Sequence, residues 1–234
     1  MSRPAQVRQN SHNAAMVPVE VPNCRLCGAS CSAPVSPTPV RAMWHCRKCD
    51  LIFVDDVALP PSEQERERYL KHQNHIDDEG YVATFDQIRQ LVRDHARTKP
   101  QPHLLDFGCG PVPVLVELMR RESFDAKGYD PYFTPTLCDG EQFDVITCVE
   151  TVEHFARPRR SFEQIDAHLK ANGVFIMQTQ WHHGPETIHD WWYARDITHV
   201  AFYSDATLPT IAEILHADEY ESPTAGISIF RRND

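Results

Sequence analysis

The chain has 234 residues, enough for one full α/β domain and a small appendage but short for two large domains. Its 33 acidic side chains outweigh 23 basic ones, and the formal charge of −10 repels a polyanion unless Lys and Arg gather on one face. No stretch approaches the roughly 20 apolar residues that span a bilayer. Met1 to Glu20 lack the apolar centre of a signal peptide, so a cytoplasmic protein without membrane contact is expected.

Residues 1–22 mix Gln, Asn, Ser, Pro and Ala without hydrophobic periodicity and are expected to form a disordered tail. Residues 23–59 carry Cys24, Cys27, Cys46 and Cys49, two C-x-x-C pairs separated by PVSPTPV, whose prolines exclude helix and favour short extended pieces. Gly28 follows the first pair and Asp50 the second. Each C-x-x-C turn brings two sulfurs onto one ion, and four thiolates close a tetrahedral zinc site that stands in for the core so few residues cannot build. Such a set leaves no open coordination position, so the expected ribbon supports folding or docking rather than catalysis. Cys31 is a competing ligand. Free or buried cysteines are the plainer alternative, and a redox pair is disfavoured because neither C-x-x-C lies at a strand-to-helix junction. The eight cysteines do not spread like a secreted disulfide framework, which points to a reducing compartment.

Over residues 60–100, SEQERERYLKH, with Ser62 placed to cap, and TFDQIRQLVRDHARTK, with apolar Phe85, Ile88, Leu91 and Val92, predict two helices bridging to the core. From 101 to 234, short apolar runs alternate with helical patterns, the arrangement of a parallel sheet covered by helices. Strands are expected at HLLDF, AKGYD, FDVITCV and GVFIMQT, helices at 114–121, 159–170 and 204–216, and two short strands near Tyr220 and 226–230.

The central signal is LLDFGCGPVPVL: a buried strand ending in Asp106, a turn with Gly108 and Gly110, and a helix starting near Pro113. Glycines let the backbone approach a ligand closely at the carboxyl end of the strand. The next strand ends in GYDPYF, placing Asp130 where a carboxylate accepts both hydroxyl hydrogens of a ribose. A dinucleotide reader would want a glycine at position 113, where Pro113 stands, so a nucleoside fits better than a pyrophosphate.

These residues resemble class I, Rossmann-like S-adenosylmethionine-dependent methyltransferases: LLDFGCG looks like their first motif, YDPYF their second, FDVITCVETVEHF their fourth, and LKANGVFIMQT their fifth-strand hairpin. The resemblance runs from His103 to Phe230 and implies an α/β sheet with helices on both faces. It also implies that the Gly108 and Gly110 backbone borders the methionyl end of S-adenosylmethionine, with Asp106 near its amine, Asp130 on its ribose and Glu150 close to the sulfonium. Two departures stand out. Val112 occupies a position that is often glycine, and the segment between Asp130 and Phe143 is too short for the usual third strand and its helix. Cys138 and Asp139 either line the adenine or form a surface loop.

Glu150, Glu153 and His154 have E-x-x-E-H spacing, which gathers two carboxylates and an imidazole if the strand turns into helix there. The pattern resembles ubiquinone-pathway O-methyltransferases and small-RNA 2′-O-methyltransferases, in which such residues bind magnesium beside the acceptor oxygen. His199 lies where a distal histidine completes the small-RNA enzymes' site, with His182 and His183 as rivals. The alternatives are helix capping with no metal, or His154 or His199 as general base. Trp181, Trp191, Trp192 and Tyr193, with Tyr81 and His75, either wall a pocket for a ring or sugar acceptor or anchor a long insertion to the sheet.

The fullest-length resemblance is to bacterial proteins joining a zinc ribbon to a short methyltransferase domain, including the amino-terminal part of sugar C-methyltransferases. The large carboxyl-terminal domain of the latter has no counterpart in these residues. O-methylation of a small-molecule acceptor is therefore the leading expectation, with N-methylation left open. RNA methylation is the second, with Arg25, Arg41, Arg47 and Lys48 as a local basic surface, and a non-catalytic adaptor the third, motivated by Val112 and the short Asp130–Phe143 segment.

Overall fold

The computed structural model describes residues 21–30, 34–35, 41–71 and 75–233. The expected tail falls almost wholly outside them, as do Cys31 and the prolines within 36–40. Strands β1 (Met43–His45) and β2 (Ile52–Val54) form an antiparallel hairpin with Trp44 opposite Phe53. The first cysteine turn precedes this hairpin and the second is the loop that joins its strands, and each is closed by a residue with left-handed backbone, Gly28 at φ 75° and Asp50 at φ 64°.

Helices α1 (Ser62–Tyr69), α2 (Glu79–Ala83) and α3 (Asp86–Ala96) follow. Ser62 is the first helical residue of α1 rather than its cap: Pro61 holds the cap position, and no side chain caps the helix there. Helix α2 was not expected; Asp78 starts it by accepting the Tyr81 amide. Helix α3 buries Ile88, Val92 and Ala96, one stripe at the helical repeat, and packs on the main sheet as part of the core layer.

The core continues through β3 (His103–Phe107), α4 (Val114–Arg121), β4 (Asp125–Tyr129), β5 (Phe143–Val149), α5 (Pro158–His168) and β6 (Leu169–Gln178). Then come β7 (Ala201–Phe202), α6 (Leu208–Ile214), β8 (Glu219–Thr224) and β9 (Ile227–Arg231). The six-stranded sheet has order β4-β3-β5-β6-β9-β8; the first four strands run parallel and the last two antiparallel. Alternate residues feed opposite cores: Leu105 faces the cluster containing Phe162 of α5 and Ile211 of α6, while Leu104 faces that of α3 and α4. Helices thus cover both faces. The chain crosses from β4 to β5 without a third parallel strand, so β4 is an edge, as the short segment implied.

Two boundaries differ from expectation. Helix α5 ends at His168, because Leu169 already pairs with Phe143 in the sheet. The helix expected from Ser204 begins as a 3-10 turn over Asp205–Thr207 before α6. The two-residue strand β7, unforeseen, joins β2 and so builds the cysteine hairpin and the catalytic half into one three-stranded sheet.

Candidate active site

Strand order reverses at β3, whose neighbours β4 and β5 lead the chain to opposite sides, and a crevice opens at the carboxyl ends of such strands. A cavity of about 780 Å³ lies there, and Asp106, Gly108, Gly110, Asp130, Glu150, Glu153, His154 and His199 all border it. Gly108, at φ 88°, has no room for a side chain: a Cβ would lie 2.0 Å from Thr151 Cγ2. Gly110, at φ 68°, faces open space, and its amide donates to Asp130 Oδ2 at 3.1 Å. Asp130 Oδ1 accepts the amides of Tyr132 (2.8 Å) and Phe133 (3.2 Å), so the buried carboxylate is fixed by three backbone donors. Asp106 accepts the Thr147 hydroxyl at 3.0 Å. Burial, reinforced by the Asp130 charge, pushes its pKa up to about 7.

Beyond this loop, Glu150 sits at φ 47°, opening onto the cavity while accepting the Tyr193 hydroxyl at 3.0 Å. Desolvation by the surrounding walls, then the Glu153 charge, raises it to about 7. Glu153 is 1% exposed and likewise raised to about 7 by burial. Its Oε2 accepts the Thr179 hydroxyl at 2.9 Å, but its buried Oε1 has no hydrogen-bond partner. His154 donates Nδ1–H to the Thr198 carbonyl (2.9 Å) and His199 donates Nδ1–H to the Tyr193 carbonyl (2.8 Å), which leaves both Nε2 lone pairs available. Burial lowers both imidazoles, His199 to about 3. Ligand atoms of Glu153, His154 and His199 lie within 4.8 Å of one another on and beside a 3-10 turn, whereas Glu150, held by Tyr193, is not one of that group, so only one of the two carboxylates expected from the E-x-x-E-H spacing joins it.

Helix α1 closes one side of the cavity. Tyr69 meets His154 edge-on with centroids 5.1 Å apart, Glu65 accepts the Tyr132 hydroxyl, and Arg68 pairs with Asp196 at 2.7 Å. None of these three was singled out in the sequence, since α1 has no buried residue and no apolar stripe to mark it.

At the amino-terminal module, Cys24 Sγ lies 3.5 Å from Cys49 Sγ, Cys27 Sγ lies 3.5 Å from Cys46 Sγ, and all four fall within 4.8 Å of one another. Four sulfurs at about 2.3 Å from a tetrahedral zinc stand roughly 3.8 Å apart, so this set fits such an ion.

Several expected site residues are placed elsewhere. His182 donates to the Asp50 carbonyl (2.9 Å) and accepts the Gly184 amide, and His183 is exposed, so neither rivals His199. Cys138 and Asp139 form a turn entering the amino-terminal end of β5, held by Glu141, on the wrong end of the strands for the adenine. Trp192, Tyr193 and Tyr81 line the cavity. Trp191 instead packs on Phe202, Trp181 on the core beside Tyr203, and His75 is exposed next to Asp77. Val112 lines the cavity and is 41% exposed, so the loop tolerates it without a glycine. Arg25 is held by Asp56 and lies over Phe53, and Arg41 is turned into the 194–199 loop, leaving Arg47 and Lys48 as the exposed members of that basic group.

A twisted, mostly parallel sheet with a glycine turn and a paired carboxylate at its switch point defines the Rossmann-like methyltransferase class. The profile of the family described as methyltransferase domain matches residues 74–215, well over half of the sequence, and the chain belongs to this family. An O-methyltransferase family protein from Burkholderia thailandensis shares the fold with TM-score 0.54 at 13% identity, over 76% of this chain and 65% of that one. The plantazolicin methyltransferase BpumL, solved with a monoazolic desmethylPZN analog and SAH, shares it with TM-score 0.50 at 13% identity, over 74% and 91%. Among curated proteins, the ubiquinone biosynthesis O-methyltransferase of Haemophilus ducreyi is 41% identical over 44 residues, 19% of each chain. That of Histophilus somni is 27% identical over 119 residues, 38% of this chain and 50% of that one. The chain therefore spans from a fifth to half the length of these relatives. Among the described residues, no helix is long and apolar enough to cross a membrane.

Proposed function

We propose that the protein transfers the methyl group of S-adenosylmethionine to a hydroxyl of a small-molecule acceptor, and that Glu153, His154 and His199 hold a divalent cation at which that hydroxyl is presented, with Glu150 on the same cavity wall. The observation that carries this reading is the convergence of an unpartnered buried carboxylate oxygen and two imidazole lone pairs at one point of the cavity wall. When bound, the donor supplies an electrophilic methyl carbon, and the cation lowers the acceptor's pKa. The chain's residues bind, orient and exclude water. Asp130 receives the ribose hydroxyls, the Gly108–Gly110 backbone and Asp106 take the methionyl end, and Tyr193 steadies Glu150.

A neutral imidazole with a pKa near 3 is a poor general base at neutral pH but a good ligand, which favours metal binding over proton abstraction for His199. Two nitrogen donors beside carboxylates suit Mn²⁺ or a similar first-row ion better than the magnesium expected from the motif. Tyr69, Tyr81, Tyr132 and Trp192 on the cavity walls favour a flat acceptor. With Arg25 and Arg41 turned inward, the basic group expected on the cysteine module is reduced to Arg47 and Lys48, which weakens that module as an RNA grip and supports the small molecule over the nucleic acid. The four cysteines, in the same reading, hold one structural zinc.

The test is transfer of a labelled methyl group to a panel of phenols and catechols, with and without chelator. O-methylation that collapses on chelation and returns with Mn²⁺ is expected. Transfer that ignores the chelator removes the metal from the scheme, and no transfer in either condition refutes the reading.

A further inference from the structure

Arg41 stands just ahead of β1 on the cysteine module, yet its guanidinium lies across the chain in the loop that carries His199. Nη1 donates to the carbonyls of Ala194 (2.5 Å) and Asp196 (2.8 Å), and Nη2 to those of Ile197 (3.3 Å) and His199. Between the 3-10 turn ending at Arg195 and β7, this loop has no regular structure; within it the Asp196 carbonyl accepts the His199 amide at 3.2 Å, and the carbonyls of Ile197 and His199 need donors from elsewhere. A planar fork with five N–H groups reaches four acceptors at once; an ammonium cannot match that geometry.

The rest of the loop is fixed from three other directions, the Glu153–His154 segment, β2 and α1. The Val200 amide donates to the Glu153 carbonyl at 2.7 Å, while the Val54 amide of β2 donates to the Val200 carbonyl at 2.9 Å. The Thr198 carbonyl accepts from His154, and Asp196 holds Arg68 of α1. Arg41 closes the remaining side, and one of its acceptors is the backbone of His199 itself.

We propose that Arg41 is a positioning residue for the cavity: it holds the 194–199 loop so that His199 Nε2 faces Glu153 and His154, and it thereby makes the cysteine module a working part of the active site. The inference rests on the proposed metal-binding role of His199. It differs from a docking role for the module, because it assigns the module a contact with the site rather than with a partner.

The experiment compares full-length wild type, Arg41→Ala and Arg41→Lys by three measurements: Mn²⁺ binding followed by electron paramagnetic resonance, S-adenosylhomocysteine binding by calorimetry, and hydrogen exchange of the 194–200 amides. Loss of a group that orients a metal ligand costs about 10–100-fold in metal affinity. Arg41→Ala is expected to show that loss and faster exchange confined to 194–200, with S-adenosylhomocysteine affinity unchanged. Arg41→Lys is expected to recover only part of the affinity. Wild-type Mn²⁺ affinity in Arg41→Ala overturns the inference. Should Arg41→Ala fail to fold, Arg41→Lys carries the same comparison. If the wild type takes up no Mn²⁺, the proposed metal falls, and the exchange data then decide the positioning role alone: unchanged protection at 194–200 in the variant overturns it, and selective loss supports it.

Discussion

Replacing Gly108 with alanine strains the cofactor loop at its tightest point. A Cβ at this position would lie 2.0 Å from Cγ2, 2.6 Å from Oγ1 and 2.8 Å from Cβ of Thr151, and the backbone is at φ 88°. Left-handed backbone costs a residue with a Cβ about 1–2 kcal/mol, offset by about 0.4–1 kcal/mol from a stiffer unfolded chain. Rotating Thr151 does not relieve the overlap, since its own Cβ is among the clashing atoms, and overpacking of this kind adds about 1–3 kcal/mol. The expected loss of stability is therefore about 3 kcal/mol. Gly110→Ala is the control. Nothing lies within 4 Å of its Cβ, so only the cost of φ 68° remains, roughly 1 kcal/mol, but Gly110 borders the cavity and the added methyl group is expected to crowd a ligand there. Urea unfolding together with calorimetric titration of S-adenosylhomocysteine separates the two effects. Gly108→Ala should lose stability, and Gly110→Ala should keep most of it while binding at least about tenfold more weakly, some 1.4 kcal/mol. A Gly108→Ala protein as stable as wild type, or a Gly110→Ala protein that binds normally, would refute the geometry of the loop.

Asp106, raised to about 7, gives the binding its pH dependence. A ligand ammonium beside it favours the ionised form, so wild-type affinity for S-adenosylhomocysteine should fall by up to about tenfold per pH unit below 7 and level off above it, whereas Asp106→Asn should bind weakly with no such slope. The same shift acts on folding. Because the folded pKa exceeds the ordinary carboxylate value, wild type bears no penalty below about pH 4, loses stability progressively as pH rises to about 7 and levels off above it, so Asp106→Asn should gain on wild type between about pH 4 and 7 in urea titrations and hold that gain at higher pH. An identical pH response in both proteins would contradict this. Metal analysis of the purified protein should return one zinc per chain, and Cys46→Ser should release it and expose Trp44, now 2% exposed, with a red-shifted emission. Full zinc content in the variant would exclude Cys46 as a ligand.

Of the four parallel strands, the central ones were legible because strands covered on both faces read as mostly apolar runs, as in HLLDF and FDVITCV, while the edge strand β4 was legible from its place between α4 and the GYDPYF turn. The placement of the glycine turn, Asp130, Glu153 and His154 on the cavity was legible for a related reason: each lies within a few residues of a strand end, so local spacing fixes its place. What failed was non-local or short. Strand β7 has two residues and exists only through its pairing with β2, and no periodicity announces that. Helix α2 is five residues long with Gly80 inside it, which hides it from propensity despite its Asp78 cap. Arg41 looked like surface charge, because its four acceptors lie more than 150 residues away in the chain. For Trp181 and Trp191 the sequence left pocket wall and anchor as alternatives, since composition cannot tell which face of a loop an aromatic ring takes, and both pack as anchors.

Calorimetric titration of wild type and Asp130→Asn with S-adenosylhomocysteine bears most directly on the whole account. Asparagine keeps an oxygen for the Tyr132 and Phe133 amides, so the turn survives, but an NH₂ replaces the oxygen that faces the Gly110 amide. Loss of a charge-assisted acceptor costs about 2 kcal/mol, roughly 30-fold in affinity. Saturable binding of one ligand per wild-type chain, weakened by about that factor in the variant, is the result the account requires. No binding to the wild type, or equal binding to both, would contradict it.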